Sequence, residues 1–184
     1  MTTNTSAAAA MLSWLLVERL TGGKPSLAGG STGMVIGLVA ITPGAGFVPI
    51  WASLIIGLAA SPISFFFINV VKKKFGYDDA LDVFACHGIG GMWGGIATGL
   101  FTVKELNSAA QWNGLVFGEA DLFLRQLAAI GITIAVAVVG TLIAAGVASL
   151  VTKGLKVSES SEESGLDASE QGEAAYPAYS GNDI

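Results

Sequence analysis

Long apolar runs broken by short polar turns organise the 184 residues. Five runs are predicted as helices, at about 5–20, 26–43, 47–71, 80–101 and 122–151. Each approaches or exceeds the roughly 20 residues that a helix needs to cross about 30 Å of hydrocarbon, the first two being marginal on length. The breaks are chemical. Glu18 and Arg19 lead into Thr21-Gly22-Gly23-Lys24-Pro25, Thr42-Pro43-Gly44 stops the second run, and Lys72-Lys73-Lys74 ends the third. Asp78 and Asp79 are placed to cap the fourth and to complement its positive end. Gly29, Gly33 and Gly37 recur at strict four-residue spacing, the mark of a helix-packing stripe. Pro62 falls inside the third run, where a membrane helix tolerates a kink. From Ser158 onward serine and glutamate prevail, a composition that predicts disorder and a solvated spacer over 158–164. The expected organisation is a membrane domain, 1–157, and an acidic tail, 158–184.

Composition agrees with a bilayer as solvent. Hydrophobic residues make up 52%, charged residues 12%, and the mean hydropathy is +0.65, against about 25% charged residues in soluble domains. The net charge of −5 belongs to the tail, which carries Glu159, Glu162, Glu163, Asp167, Glu170, Glu173 and Asp183. Nucleic acid is therefore excluded as a partner. The single cysteine excludes an internal disulfide. No basic stretch precedes the first run, so a cleaved signal peptide is not expected. With five spans, Arg19, Lys24, Lys72, Lys73, Lys74, Lys153 and Lys156 fall on one side, and Lys104 and Arg125 on the other. The first side, with the C-terminus, is expected in the cytoplasm. An odd number of spans then puts the N-terminus outside, which leads us to expect further spans upstream.

Candidate chemistry concentrates in one stretch, Asp82 to Gly95. It holds the only histidine, His87, and the only cysteine, Cys86. On a regular helix Phe84, Gly91, Gly94 and Thr98 share the face of His87. Gly88, Gly91 and Gly95 are expected to admit a close neighbour. An ionisable side chain within a membrane span is a functional candidate by default. Asp79 and Asp82 read as caps and dipole partners, Cys86 as a small buried residue. Trp14, Trp51, Trp93 and Trp112 read as interface anchors or core. No nucleophile–base pair and no cluster of metal ligands occurs, so neither an enzyme, a metal nor a cofactor is expected.

Four blocks carry a resemblance. Gly23-Lys24-Pro25-Ser26, the stretch from Val39 to Pro43, the stretch from Asp78 to Gly88, and Gly165-Leu166-Asp167 with Gly172 to Tyr176 resemble, in order, the C-terminal part of ammonium transporters of the Amt/Mep/Rh family. The resemblance implies an all-α polytopic membrane bundle of eleven helices, of which these five look like the last. It also implies trimers with one pore per subunit, in the plasma membrane. His87 looks like the second of two pore histidines, and Thr32 like a small hydroxyl beside the pore. Asp79, Asp82, Val83, Phe84 and Thr42 look like supporting positions. Gly165, Leu166, Asp167, Ser169, Gly172, Glu173 and Tyr176 look like a regulatory tail, contacted by neighbouring subunits or by a P-II-type nitrogen signal protein. Ser169 falls where some members carry a phosphorylatable threonine, and Gln171 departs from the histidine of many members.

The chemistry implied is passage of ammonium or ammonia. Moving the bare ion into hydrocarbon costs on the order of tens of kcal/mol, whereas neutral ammonia crosses far more easily. A neutral imidazole can accept a hydrogen bond at one nitrogen and donate from the other, so it can hold or relay such a substrate. The alternative expectation is a non-conducting fragment, or a regulatory partner that assembles with full-length subunits.

Overall fold

A computed structural model describes residues 1–152 and 154–173, and every regular element among them is helical. The chain divides into two compact units, Met1–Thr133 and the part from Ile134 onward. In the first unit α1 is Thr2–Leu20 and α2 is Leu27–Ile41. Helix α3, Ile50–Phe75, is continuous, but passes through π-helical geometry over Phe67–Lys72. A second π-helical segment, Phe84–Ile89, leads into α4, Gly90–Phe101. Helix α5, Asp121–Thr152, begins in this unit.

The start of α2 follows from its sequence. Ser26 Oγ accepts from the Gly29 N–H at 2.9 Å, and the Glu18 carboxylate of α1 accepts from the Ser26 N–H at 3.0 Å. A serine cap and a nearby anion both favour a helix N-terminus. The polar turn thus closes back onto α1.

The α2 glycine stripe packs on α1. A Cβ added at Gly33 would lie 2.5 Å from Trp14 Cβ, and one at Gly37 2.5 Å from the Ser6 carbonyl oxygen. A Cβ added at Gly57 of α3 would strike the same Ser6 carbonyl. Helix α1 is therefore held between two glycine-lined helices, and serine hydroxyls fasten it. Ser6 Oγ donates to Gly37 O at 2.8 Å, and Ser61 Oγ donates to Ala10 O at 2.6 Å. Pro62 has no N–H to offer the carbonyl four residues back. Ser13 Oγ of α1 donates to that carbonyl, Leu58 O, at 2.8 Å. The proline is accommodated because a neighbouring helix supplies the missing donor. Trp14, Ile36, Ile41, Val48 and Ile56 fill the core between these helices.

One packing expectation needs correction. Gly91 faces open space, and a Cβ at Gly88 would meet the Phe84 ring of its own helix at 3.3 Å. Of the three expected glycines Gly95 alone meets another helix, where an added Cβ would lie 3.1 Å from Ile130 Cδ1. The other close contacts of α4 are at Gly94, whose added Cβ would strike Ala40 O, and at Gly99, whose added Cβ would lie 2.8 Å from Phe123 Cα. The face shared by His87 and Gly91 is open, whereas its continuation at Gly94 and Thr98 is buried. Spacing alone fixed the face and not what lies opposite it.

The segment between α4 and α5 is tied down. Lys104 N donates to Asn113 Oδ1 at 2.9 Å. Glu119 accepts from the Asn113 backbone N–H at 2.9 Å and from its amide at 2.8 Å. The Arg125 guanidinium stacks 4.4 Å from the Trp112 ring centroid.

In the second unit the apolar residues of α5 are uncovered, Leu142 and Leu150 being 69% and 84% exposed. Among the described residues two helices are long and apolar enough to cross a membrane, Ile50–Phe75 and Asp121–Thr152. The 158–164 spacer differs from the expected disorder. It forms a short helix α6, Glu159–Ser164, because Ser158 accepts from the Ser161 N–H at 3.2 Å, with Glu159 and Glu162 in its first turn.

Candidate functional site

The site grows from the loop joining α3 to the π-helical segment. Asp79 accepts from the N–H groups of Val83 and Phe84 at 2.9 Å each, so one carboxylate caps two of the donors a helix start leaves unpaired. Asp82 adopts a left-handed conformation, φ +54°, which aspartate tolerates better than most residues. It does not cap. It pairs with Lys72 at 2.7 Å, and the same ammonium donates to the Asp79 carbonyl. Lys72 closes the first π-helical segment and Asp82 stands just before the second. The rings of Phe67 and Phe84, one from each segment, meet edge to face at 6.4 Å, and Tyr77 meets Phe84 at 5.8 Å.

His87 lies mid-way along the second segment and is exposed, while its neighbours Ala85 and Cys86 are buried. Ser64 Oγ of α3 donates to Ala85 O at 3.0 Å, and Trp93 Nε1 donates to Ile56 O at 3.0 Å, which fastens α4 to α3 on the side away from the imidazole. Against α2 the match is parallel. A Cβ at Gly90 would lie 3.9 Å from Ile36 Cγ2, and Gly94 meets Ala40. Thr32, one turn before Ile36, is therefore level with Cys86 and His87.

Thr32 Oγ1 donates to Ala28 O at 3.0 Å and Thr42 Oγ1 to Leu38 O at 2.6 Å, each within its own helix. Their donors are thus used by the preceding turn. Val83 and Phe84 are 47% and 48% exposed. A cleft of about 300 Å³ near Pro43, Thr98, Trp112 and Gln126 lies at the other end of α4 and does not reach His87. In the tail, Gly165 and Gly172 take φ +92° and +73°, the latter ending a π-helical turn, Asp167–Gln171. Ser169 Oγ donates to Gly165 O at 2.7 Å, and the Glu173 N–H to Asp167 O at 3.1 Å. Leu166 is exposed, and Tyr176 lies outside the described residues.

Comparison with known proteins settles the family. The profile described as Ammonium Transporter Family matches residues 1–176. The chain belongs to the ammonium transporter family. It is 47% identical over 174 residues to an ammonium transporter of Bacillus subtilis (strain 168), covering 95% of this chain and 43% of that protein. It is 42% identical over 175 residues to the ammonium transporter Amt1 of Archaeoglobus fulgidus, again covering 95% of this chain and 43% of the relative. The crystal structure of Saccharomyces cerevisiae Mep2 superposes with a TM-score of 0.79 at 31% identity, over 87% of this chain and 37% of Mep2. The chain thus spans less than half the length of these family members, and its fold is a membrane helix bundle. Within that frame sequence reasoning missed Lys72 as anything but a topogenic charge. Its spacing of ten residues from Asp82 carries no helical signal, because a loop intervenes.

Proposed function

We propose that the chain contributes one wall of a pore for ammonium or ammonia, with His87 as its substrate-facing hydrogen-bonding group and Thr32 beside it. The observation that carries this is the exposure of the sole imidazole on the open face of the π-helical segment, level with Thr32, while Ala85 and Cys86 before it and Ile89 and Gly90 after it are buried. Its family relatives are named ammonium transporters. An imidazole so held can accept from a substrate N–H and donate to the next molecule, which is what a file of ammonia requires. Apolar walls on both sides exclude a bare ion by its desolvation cost. The same reading takes all five long helical stretches as spans, sets the C-terminus in the cytoplasm of a multi-pass plasma-membrane protein, and gives trimers. It takes Asp79, Asp82, Val83, Phe84 and Thr42 as support for the pore helix. It assigns 165–176, with Ser169, to regulation by neighbouring subunits or a P-II-type protein.

The test is His87→Ala in the transporter that carries this chain, reconstituted in vesicles. We expect methylammonium uptake to fall about ten-fold, the worth of one hydrogen bond of roughly 1.4 kcal/mol, with membrane insertion unchanged. Unchanged uptake and unchanged ammonium selectivity would return His87 to a structural role. The second reading, a non-conducting polypeptide assembling with complete subunits, draws on the uncovered apolar side chains, Leu27 at 86% and Leu81 at 81% among them. Co-purification with a full-length family member in mild detergent tests it, and recovery of the chain free of that partner counts against it.

A further inference from the structure

We propose that Lys72 is a positioning residue for His87, acting through a latch that clamps the two π-helical segments together. A π-helical turn is rare and is found frequently at functional sites. Here two of them, Phe67–Lys72 and Phe84–Ile89, stand side by side, with Lys72 ending one and His87 in the middle of the other. Besides the Phe67–Phe84 ring contact, one ammonium group ties the first segment to the loop that opens the second. Lys72 Nζ donates to Asp82 Oδ1 at 2.7 Å and to the Asp79 carbonyl. It therefore binds the left-handed residue and the capping residue of the same loop. Asp79 fixes where the helix begins, and Asp82 fixes the direction from which the chain enters it.

The order of the contacts explains the role. Without the ammonium, the Asp82 carboxylate loses the partner that holds its uncommon backbone conformation, which relaxes most easily by unwinding the first π-helical turn. A shift of one residue in helical register rotates a side chain by about 100° in an α-helix, which would take the imidazole off the open face. Both side chains are only partly covered, 27% and 30% exposed. The pair is thus not a core element on which the fold depends, and its removal can be read without loss of the protein. The effect on transport rests on the reading of His87 given above, whereas the effect on the helix does not.

The test uses two readouts on the intact transporter in vesicles. The first is the reactivity of Cys86, 5% exposed and adjacent to His87, toward a membrane-permeant maleimide. Other cysteines of the protein are replaced beforehand. Lys72→Met is expected to speed labelling about ten-fold, the scale of a lost charged hydrogen bond, and Lys72→Arg by much less. Asp82→Asn, which keeps the left-handed preference and loses the charge, should fall between them. The second readout is methylammonium uptake in a double-mutant cycle. Lys72→Met is expected to lower uptake several-fold in the parent and to add little in a His87→Ala background, because coupled residues are non-additive. Unchanged Cys86 labelling in both Lys72→Met and Asp82→Asn overturns the latch. Faster labelling with fully additive uptake losses overturns the positioning of His87. If the parent itself shows no uptake, the transport reading fails, and the labelling series still decides the latch.

Discussion

A glycine in a helix is informative only once its neighbour is known. Gly37 sits 2.5 Å, by its missing Cβ, from a backbone carbonyl of α1 that cannot step aside, while Gly91 faces open space. Gly37→Ala is therefore expected to destabilise the bundle by about 1–3 kcal/mol through overpacking. Gly91→Ala should be neutral or stabilising by up to roughly 1 kcal/mol, the difference in helix propensity. Unfolding by titrating a harsh detergent into a mild one measures both, and equal stability of the two variants would remove the α1–α2 contact from the argument. The α2 stripe was legible because its four-residue spacing matches one α-helical turn across the whole helix. The α4 face was not, because the first part of that run is π-helical and because which part a neighbour covers depends on how α2 lies against it. Asp79 reads as a cap from its place before an apolar run. Asp82 is the same residue type three positions on, and only the backbone reveals that it serves Lys72 instead.

Between the helices, what matters is how each break is closed. The 21–25 turn closes on Glu18, the Pro62 gap on Ser13, and the 102–120 segment on Glu119. None of these pairings has a sequence period, so none was legible. Hydrogen bonds from Asn113, backbone first and then side chain, with the Lys104 ammonium at 3.5 Å, hold the Glu119 carboxyl below the usual carboxylate range. The sign follows. The folded value is depressed, so ionised Glu119 favours the closed segment fully above the unfolded value of about 4.3. The contribution fades as pH falls through the depressed value. Hydrogen exchange at 104–119, corrected for intrinsic rate, is expected to be slow at pH 6 and to quicken below pH 4. Glu119→Gln should show fast exchange at both. Exchange in the parent that is flat from pH 6 to pH 3 would show that this carboxylate does not hold the segment.

For the whole molecule the decisive property is orientation, and length alone does not supply it. Helix α2 has 15 residues, short of a full crossing. The irregular backbone after it packs against protein at Gly44 and Val48, which are buried, as irregular backbone at membrane depth requires. The Val103 N–H donates to Phe47 O at 2.9 Å, and Val48 is 2% exposed. Counting α2 and α3 as spans brings the 21–25 turn and the Lys72–Lys74 end of α3 to one side, and counting α4 as a span puts the 102–120 segment on the other. The cation bias then sets which side is which. Lys73 and Lys74 add a further reason, since both are exposed beside a Lys72 already committed to Asp82. In a cysteine-free background that includes Cys86→Ser, Lys73→Cys should resist an impermeant maleimide added to intact cells and react after lysis. Asn113→Cys, in a segment held by its neighbours but open to water, should react from outside in both states. Labelling of residue 73 from outside would reverse the bundle. Labelling of both residues from the same side would mean that α4 does not cross at all, and His87 could then line no pore.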